Sequence, residues 1–177
     1  MQEVFQEAIK RLEMDEPVVL ATVVRTKGST PQKPGAKLLV RQDGSGAGTL
    51  GGGCVEGDIW FAAKQLMDQG GSTEYREYEL NEELAANDGL VCGGTMFFLI
   101  DPVYDAGAYM PFAQEIEDAY KGNGAVALAT VVKSSSDGNA KIGDKLFIRA
   151  NGEVEGLSLI HISEPTRRTP ISYAVLC

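Results

Sequence analysis

Thr49-Leu50-Gly51-Gly52-Gly53-Cys54-Val55-Glu56-Gly57-Asp58 decides how the rest of the chain is read. Three consecutive glycines follow a short apolar run and lead into Ile59-Trp60-Phe61-Ala62-Ala63-Lys64-Gln65-Leu66-Met67, which reads as a helix. Glycine tolerates positive φ, so the backbone there can turn its N–H groups toward one point. A helix N-terminus adds unpaired donors and partial positive charge, so strand, glycines and helix together form a candidate anion cradle. Cys54 stands where the helix dipole would favour a thiolate. The same residues also read as a plain strand-to-helix turn with Cys54 packed as a small hydrophobe.

Upstream, Val4, Phe5, Ala8, Ile9 and Leu12 recur at helical spacing and predict an amphipathic helix ending before Pro17. Val18-Val19-Leu20-Ala21-Thr22-Val23-Val24 predicts a strand buried on both faces. Gly28 to Gly35 is a loop, and Lys37–Arg41 with Ala47–Leu50 makes a hairpin around Asp43-Gly44. Gly46 to Gly51 spells GxGxxG, but a dinucleotide fingerprint needs a strand ending at its first glycine, and a hairpin turn stands there instead. Downstream, Glu74 to Leu80 alternates like a half-exposed strand and Glu82 to Ala86 reads as one helical turn. Thr95 to Ile100 is a second buried strand stopping at Asp101-Pro102, followed by a helix from Tyr109 to Tyr120 that Gly122-Asn123-Gly124 closes.

The chain then repeats itself. Ala125 to Gly156 aligns with Pro17 to Gly48 without a gap: Leu128–Val132 copies Leu20–Val24, and Lys141, Gly143, Lys145, Leu146, Arg149, Gly152 and Gly156 match Lys33, Gly35, Lys37, Leu38, Arg41, Gly44 and Gly48. The second copy carries Ser134-Ser135-Ser136-Asp137-Gly138 where the first has a glycine loop. The expected fold is α/β: a mixed central sheet flanked by helices, with a partial internal duplication of a strand–loop–hairpin frame. Val126–Val132 and Leu146–Ile148 are expected to extend or complete that one sheet, with an independent second domain as the alternative. Residues 1–103 then form the first domain and residues 104–156 a partial second copy. Leu157 to Arg167 and Ile171 to Val175 resemble the two ends of a translated sequencing-library adapter, so residues 157–177 read as a non-native tail without specific core contacts.

Sixteen Lys and Arg against 25 Asp and Glu give a formal net charge of −9. Setting the tail aside removes the one histidine, His161, and increases the acidic excess, so no basic stripe exists to neutralise phosphates and nucleic acid is not an expected partner. No apolar run reaches the length of a membrane span, and the opening residues do not read as a signal peptide. Two cysteines outside the tail, Cys54 and Cys92, cannot build a disulfide framework, which fits a reducing cytoplasm. Without histidine, His-based triads and His-ligated zinc are excluded there.

Gly28-Ser29-Thr30-Pro31 follows the end of a buried strand, where sheet proteins place ligands, and Arg25, Lys27 and Lys33 add local positive charge. Cys92 before Gly93-Gly94 parallels Cys54 after Gly51-Gly52-Gly53. Brought into one site, Cys54 and Cys92 would be soft ligands for a thiophilic metal or a carrier of sulfur. Kept apart, each is packing.

Ala21 to Pro31, Pro34 to Lys37, Gly48 to Glu56 and Leu90 to Gly94 resemble, in order and spacing, the XdhC/CoxI family. The resemblance covers about residues 5–103. It implies a cytoplasmic accessory factor, not a catalyst, that binds the molybdenum cofactor (molybdopterin) without using it. Such a factor assists sulfuration with a cysteine desulfurase and delivers the cofactor to a molybdenum hydroxylase apoenzyme such as xanthine dehydrogenase. A homodimer is also expected. Carried onto this chain, the cofactor-binding residues would be Gly28, Ser29, Thr30, Gly51, Gly52, Gly53, Cys54, Glu56, Cys92, Gly93 and Gly94. Most of the family continues into a dinucleotide-type domain, where this chain has its partial second frame. Two other readings stay open: a nucleotide-binding oxidoreductase domain, resting on GxGxxG, and a thiol redox or interaction module.

Overall fold

The computed structural model describes residues 2–80, 93–108, 110–134, 140–156 and 172–176, which fall in two compact units, Met1–Asp105 and Ala106–Cys177. In the first unit α1 (Gln2–Leu12) precedes β1 (Val18–Lys27), β2 (Lys37–Arg41) and β3 (Gly46–Gly48). Helix α2 (Gly53–Gln69), β4 (Glu74–Glu79) and β5 (Thr95–Val103) follow. The strands form one sheet in the order β3-β2-β1-β5-β4. The opening helix, the buried strands and the helix after the glycines are there, and the strand expected at Ala47–Leu50 is the shorter β3, but the sheet is not mixed: every pairing among the described residues is antiparallel. Hairpin β2–β3 and the return of β5 beside β1 leave no parallel neighbours, so no helical crossover is needed.

Strand β1 is the centre of the sheet because its residues Val18 to Val23 are all buried, and residues of both parities need cover. One face, with Val19, Ala21, Val23, Leu38, Val40, Met96, Phe98 and Ile100, packs against Val55, Ile59, Ala62, Ala63, Leu66 and Met67 of α2. Leu50, fully buried, closes that core at the foot of the helix. Helix α1 buries Val4, Ala8, Ile9 and Leu12 and contacts β1, β2 and β3. Strand β5 runs past its expected stop, through Pro102 to Val103. Past Ile100 β4 no longer pairs with it, so β5 has a free side where a residue lacking an N–H is tolerated.

The second unit holds α3 (Met110–Tyr120), β6 (Val126–Lys133), β7 (Lys145–Arg149), β8 (Val154–Gly156) and β9 (Ser172–Leu176), in a separate sheet ordered β8-β7-β6-β9. The expectation of one continuous sheet is therefore wrong. Strand β1 already has a partner on each side, and the edges of its sheet are poor templates: β3 is three residues of Gly-Ala-Gly and β4 is Glu-Tyr-Arg-Glu-Tyr-Glu. The second sheet nonetheless repeats the first. Val18 pairs with Arg41 as Val126 pairs with Arg149, and the irregularity at Val23/Arg25 recurs at Val131/Lys133.

The duplication is longer than the aligned residues suggest. Glu7 of α1 accepts from Arg41 Nε at 2.9 Å, and Glu115 of α3 accepts from Arg149 Nε at 2.8 Å, the same helix-to-strand ion pair. Glu7 also accepts from Arg11 at 2.8 Å, and chiefly that bond, opposed by burial and aided by Arg41, holds its carboxyl below the ordinary value of 4.5. A depressed folded value stabilises above the unfolded value and is lost as pH falls through the folded one. The advantage of wild type over Glu7→Gln in urea midpoint should thus be present near neutrality and disappear below pH 4.5. A gap that stays constant with pH would exclude this role.

Strand β9 differs from expectation too. Ser172–Leu176 lies in the segment read as a tail without specific contacts, yet it pairs along β6 from Leu128 to Lys133, as β5 pairs along β1. An extended Ser-Tyr-Ala-Val-Leu run satisfies the open edge of β6 regardless of its origin.

Candidate functional site

The antiparallel pairing sets Lys27, at the end of β1, opposite Thr95, at the start of β5. The Gly28–Pro31 loop and Gly93-Gly94 consequently leave the sheet side by side. Their contact is close enough to require glycine: a Cβ on Gly94 would stand 2.4 Å from the Ser29 carbonyl oxygen and 2.7 Å from that of Lys27. Across the loop, a Cβ on Gly51 would stand 2.7 Å from Pro31 Cβ. The structure therefore brings together three of the segments singled out in the sequence, with the Gly28–Pro31 loop between the other two. Cys92 lies outside the described residues, as do Glu82–Ala86 and Leu90-Val91.

Gly51, Gly52 and Gly53 have φ of 112°, 75° and 66°, a run of left-handed backbone open only to glycine at low cost. The turn does gather its N–H groups around an anion, but that anion is the protein's own. Glu56 Oε2 accepts from Thr49 Oγ1 at 2.6 Å, from the Leu50 amide at 2.7 Å and from the Gly52 amide at 3.1 Å. The Gly51 amide donates to Thr49 Oγ1 at 3.0 Å. Burial by itself would raise the Glu56 carboxyl. The Thr49 hydroxyl and the amides of Leu50, Gly52 and Gly51 outweigh it and hold the group below the ordinary range. Helix α2 carries no side-chain cap, and the Cβ positions of Gly52 and Gly53 face open space.

Cys54 is a free, exposed thiol in the first turn of α2, so the packed alternative does not hold. One turn further, Asp58 accepts from the Tyr78 hydroxyl of β4 at 2.8 Å. Burial, the Asp58 carboxylate and Cys54 together push the Tyr78 phenol up to about 12, so it remains a proton donor at neutral pH. Asp58 follows Cys54 at helical spacing and could have been placed from sequence, whereas Tyr78 reaches Asp58 only through the sheet. Ser29 is exposed, but Thr30 Oγ1 donates to the Gln32 carbonyl at 2.9 Å, which commits the hydroxyl proton expected to serve a ligand. Arg25 lies over the Phe97 ring, 5.2 Å from its centroid. Among the described residues no three His, Cys, Asp or Glu side chains gather as a metal-holding set. The literal GxGxxG begins in β3 of a hairpin, which removes the geometry a dinucleotide turn requires.

Residues 11–79, which hold the Gly28 loop, the triple-glycine turn, Cys54, Glu56 and Tyr78, match the XdhC and CoxI family. That part of the chain is similar to the family. Its similarity extends to a probable xanthine dehydrogenase subunit of Bacillus subtilis, 40% identical over 85 residues, covering 47% of this chain and 26% of that protein. The molybdenum cofactor insertion chaperone PaoD of Escherichia coli is 36% identical over 69 residues, covering 39% of this chain and 22% of that protein. An uncharacterised Escherichia coli protein, YqeB, is 36% identical over 101 residues, covering 55% of this chain and 18% of the relative. A crystal structure of a xanthine dehydrogenase from Bacillus halodurans superposes with a TM-score of 0.63 at 26% identity, covering 90% of this chain and 46% of the other. The chain spans about a quarter or less of the length of these curated relatives.

Proposed function

We propose that this XdhC and CoxI segment handles molybdenum cofactor during maturation of a molybdenum hydroxylase such as xanthine dehydrogenase. It binds the cofactor without transforming it, supports its sulfuration with a cysteine desulfurase, and passes it to the apoenzyme. The observation that carries the proposal is Cys54, exposed at the start of α2 and set by a family-matched glycine turn. Similarity to a molybdenum cofactor insertion chaperone supports the choice of cofactor. The donor set fits such a ligand: a soft thiol for a metal–sulfur end, and open space at Gly52 and Gly53 beside the uncapped N–H groups of the helix for an anionic end. Gly28, Ser29, Gly93 and Gly94 form the neighbouring wall, and Cys92 would complete it. Bound there, the cofactor would supply the molybdenum and its sulfur chemistry; the chain would supply a thiol and backbone donors.

Among the described residues no helix is long and apolar enough to cross a membrane. Cytoplasmic location, a homodimer and a purely accessory role belong to this same proposal. The test is direct binding of molybdenum cofactor to the chain. Cys54→Ser and Gly52→Val should each weaken it about ten- to a hundredfold, the loss of one charge-assisted contact or more. If both variants stay folded and bind like wild type, the assignment fails. An unbound wild type with a readily alkylated Cys54 would instead favour the thiol redox module.

A further inference from the structure

We infer that Glu56 is a positioning residue: its carboxylate, rather than any bound anion, holds the Thr49–Gly53 turn and so fixes where the first turn of α2 presents Cys54. Three successive left-handed glycines have no side chains to restrain them and lose more conformational freedom on folding than any other residues. Something must hold them, and no side chain caps the helix they lead into. Glu56 meets the need from inside the helix. A single oxygen takes the Thr49 hydroxyl and the Leu50 and Gly52 amides, while Thr49 Oγ1 takes the Gly51 amide. Three of these bonds tie the segment before Cys54 to the residue one turn from the helix start, and the fourth ties Gly51 to Thr49 within that segment.

This reverses the role expected for Glu56. A phosphate and this carboxylate would compete for the same amides, and the carboxylate is covalently tethered at hydrogen-bonding distance. A ligand's anionic group is therefore received beyond the turn, at the open side of Gly52 and Gly53, and not by Leu50 and Gly52 N–H. What that ligand is rests on the cofactor proposal. The clamp does not, and its test contains no cofactor.

The experiment follows the amides of residues 50 and 52 by nitrogen-15 NMR in the full chain, with Cys92→Ser and Cys177→Ser so that iodoacetamide reads Cys54 alone. In wild type, inorganic phosphate should leave both amides unmoved. In Glu56→Ala they should exchange with solvent about ten- to a hundredfold faster, since bonds to a charged acceptor are lost. Acetate should then bind the vacated turn, slow that exchange and return the Cys54 alkylation rate toward wild type, a rescue that a generally loosened fold would not show. Should Glu56→Ala not fold, Glu56→Gln keeps an oxygen acceptor and should show a smaller acceleration of the same two amides. Saturable phosphate shifts at Leu50 and Gly52 in wild type would overturn the inference. So would unchanged exchange and alkylation in the folded variants.

Discussion

Phe98→Ala is expected to destabilise the first unit by about 3–5 kcal/mol, the range for truncating a large aromatic in a close-packed core. Phe98 is fully buried, sits between Val23 of β1 and Arg76 of β4 in register, and faces α2 among Ala21, Ile59 and Met96. Nothing flexible surrounds it: its neighbours are held by a sheet on two sides and by a helix above, so the cavity cannot collapse cheaply. Phe97, of opposite parity on the same strand, gives the control. It stacks on Tyr75 at 6.1 Å and carries Arg25 over its ring, a half-buried and an exposed partner able to close over a gap. Phe97→Ala should therefore cost clearly less. Urea denaturation of both variants decides it, and equal losses would mean that α2 does not close the core as described.

Most of the first unit is legible in sequence because its elements announce themselves locally. The run Val18–Val23 is buried throughout, as an unbroken β-branched stretch implies, and Gly70, with φ of 62°, ends α2 beside the Gln69-Gly70-Gly71 stop. Strand direction was not legible, since Val and Ile runs suit buried strands of either sense. Nor was the separation into two sheets: it depends on which edges are spent, and edges exist only once strands are paired. The extra helix in the duplication was hidden because α1 and α3 share little beyond Glu7 and Glu115, and only the arginines they reach expose the correspondence. At the site, the glycines signalled close approach correctly. Glu56 was visible as a residue but not as an occupant. A carboxylate just inside a helix following three glycines satisfies the donors that a bound phosphate would satisfy, and sequence cannot separate the two.

Gly94→Ala is the change expected to damage the site most, and Gly52→Ala shows why. Both add one methyl group. At Gly52 that methyl meets nothing within 4 Å, so the cost is confined to holding alanine at φ of 75° and ψ of −173°, about 1–3 kcal/mol. At Gly94 the methyl would stand 2.4 Å and 2.7 Å from two carbonyl oxygens of the Lys27–Ser29 backbone and 2.9 Å from Thr30 Cγ2. Backbone cannot rotate out of the way as a long side chain can, so the loop must move as a unit. Overpacking of this kind costs about 1–3 kcal/mol and sometimes more. Here the displacement also has a direction. The Gly28–Pro31 loop leaves β1 next to Gly94 and meets Gly51 at its far end, so pushing its near end disturbs the wall beside the triple-glycine turn. Amide shifts should therefore change across residues 27–31 and carry over to residue 51 in Gly94→Ala, but stay within residues 50–55 in Gly52→Ala. If Gly94→Ala leaves residues 27–31 and 51 unmoved, the three glycine segments do not share one site.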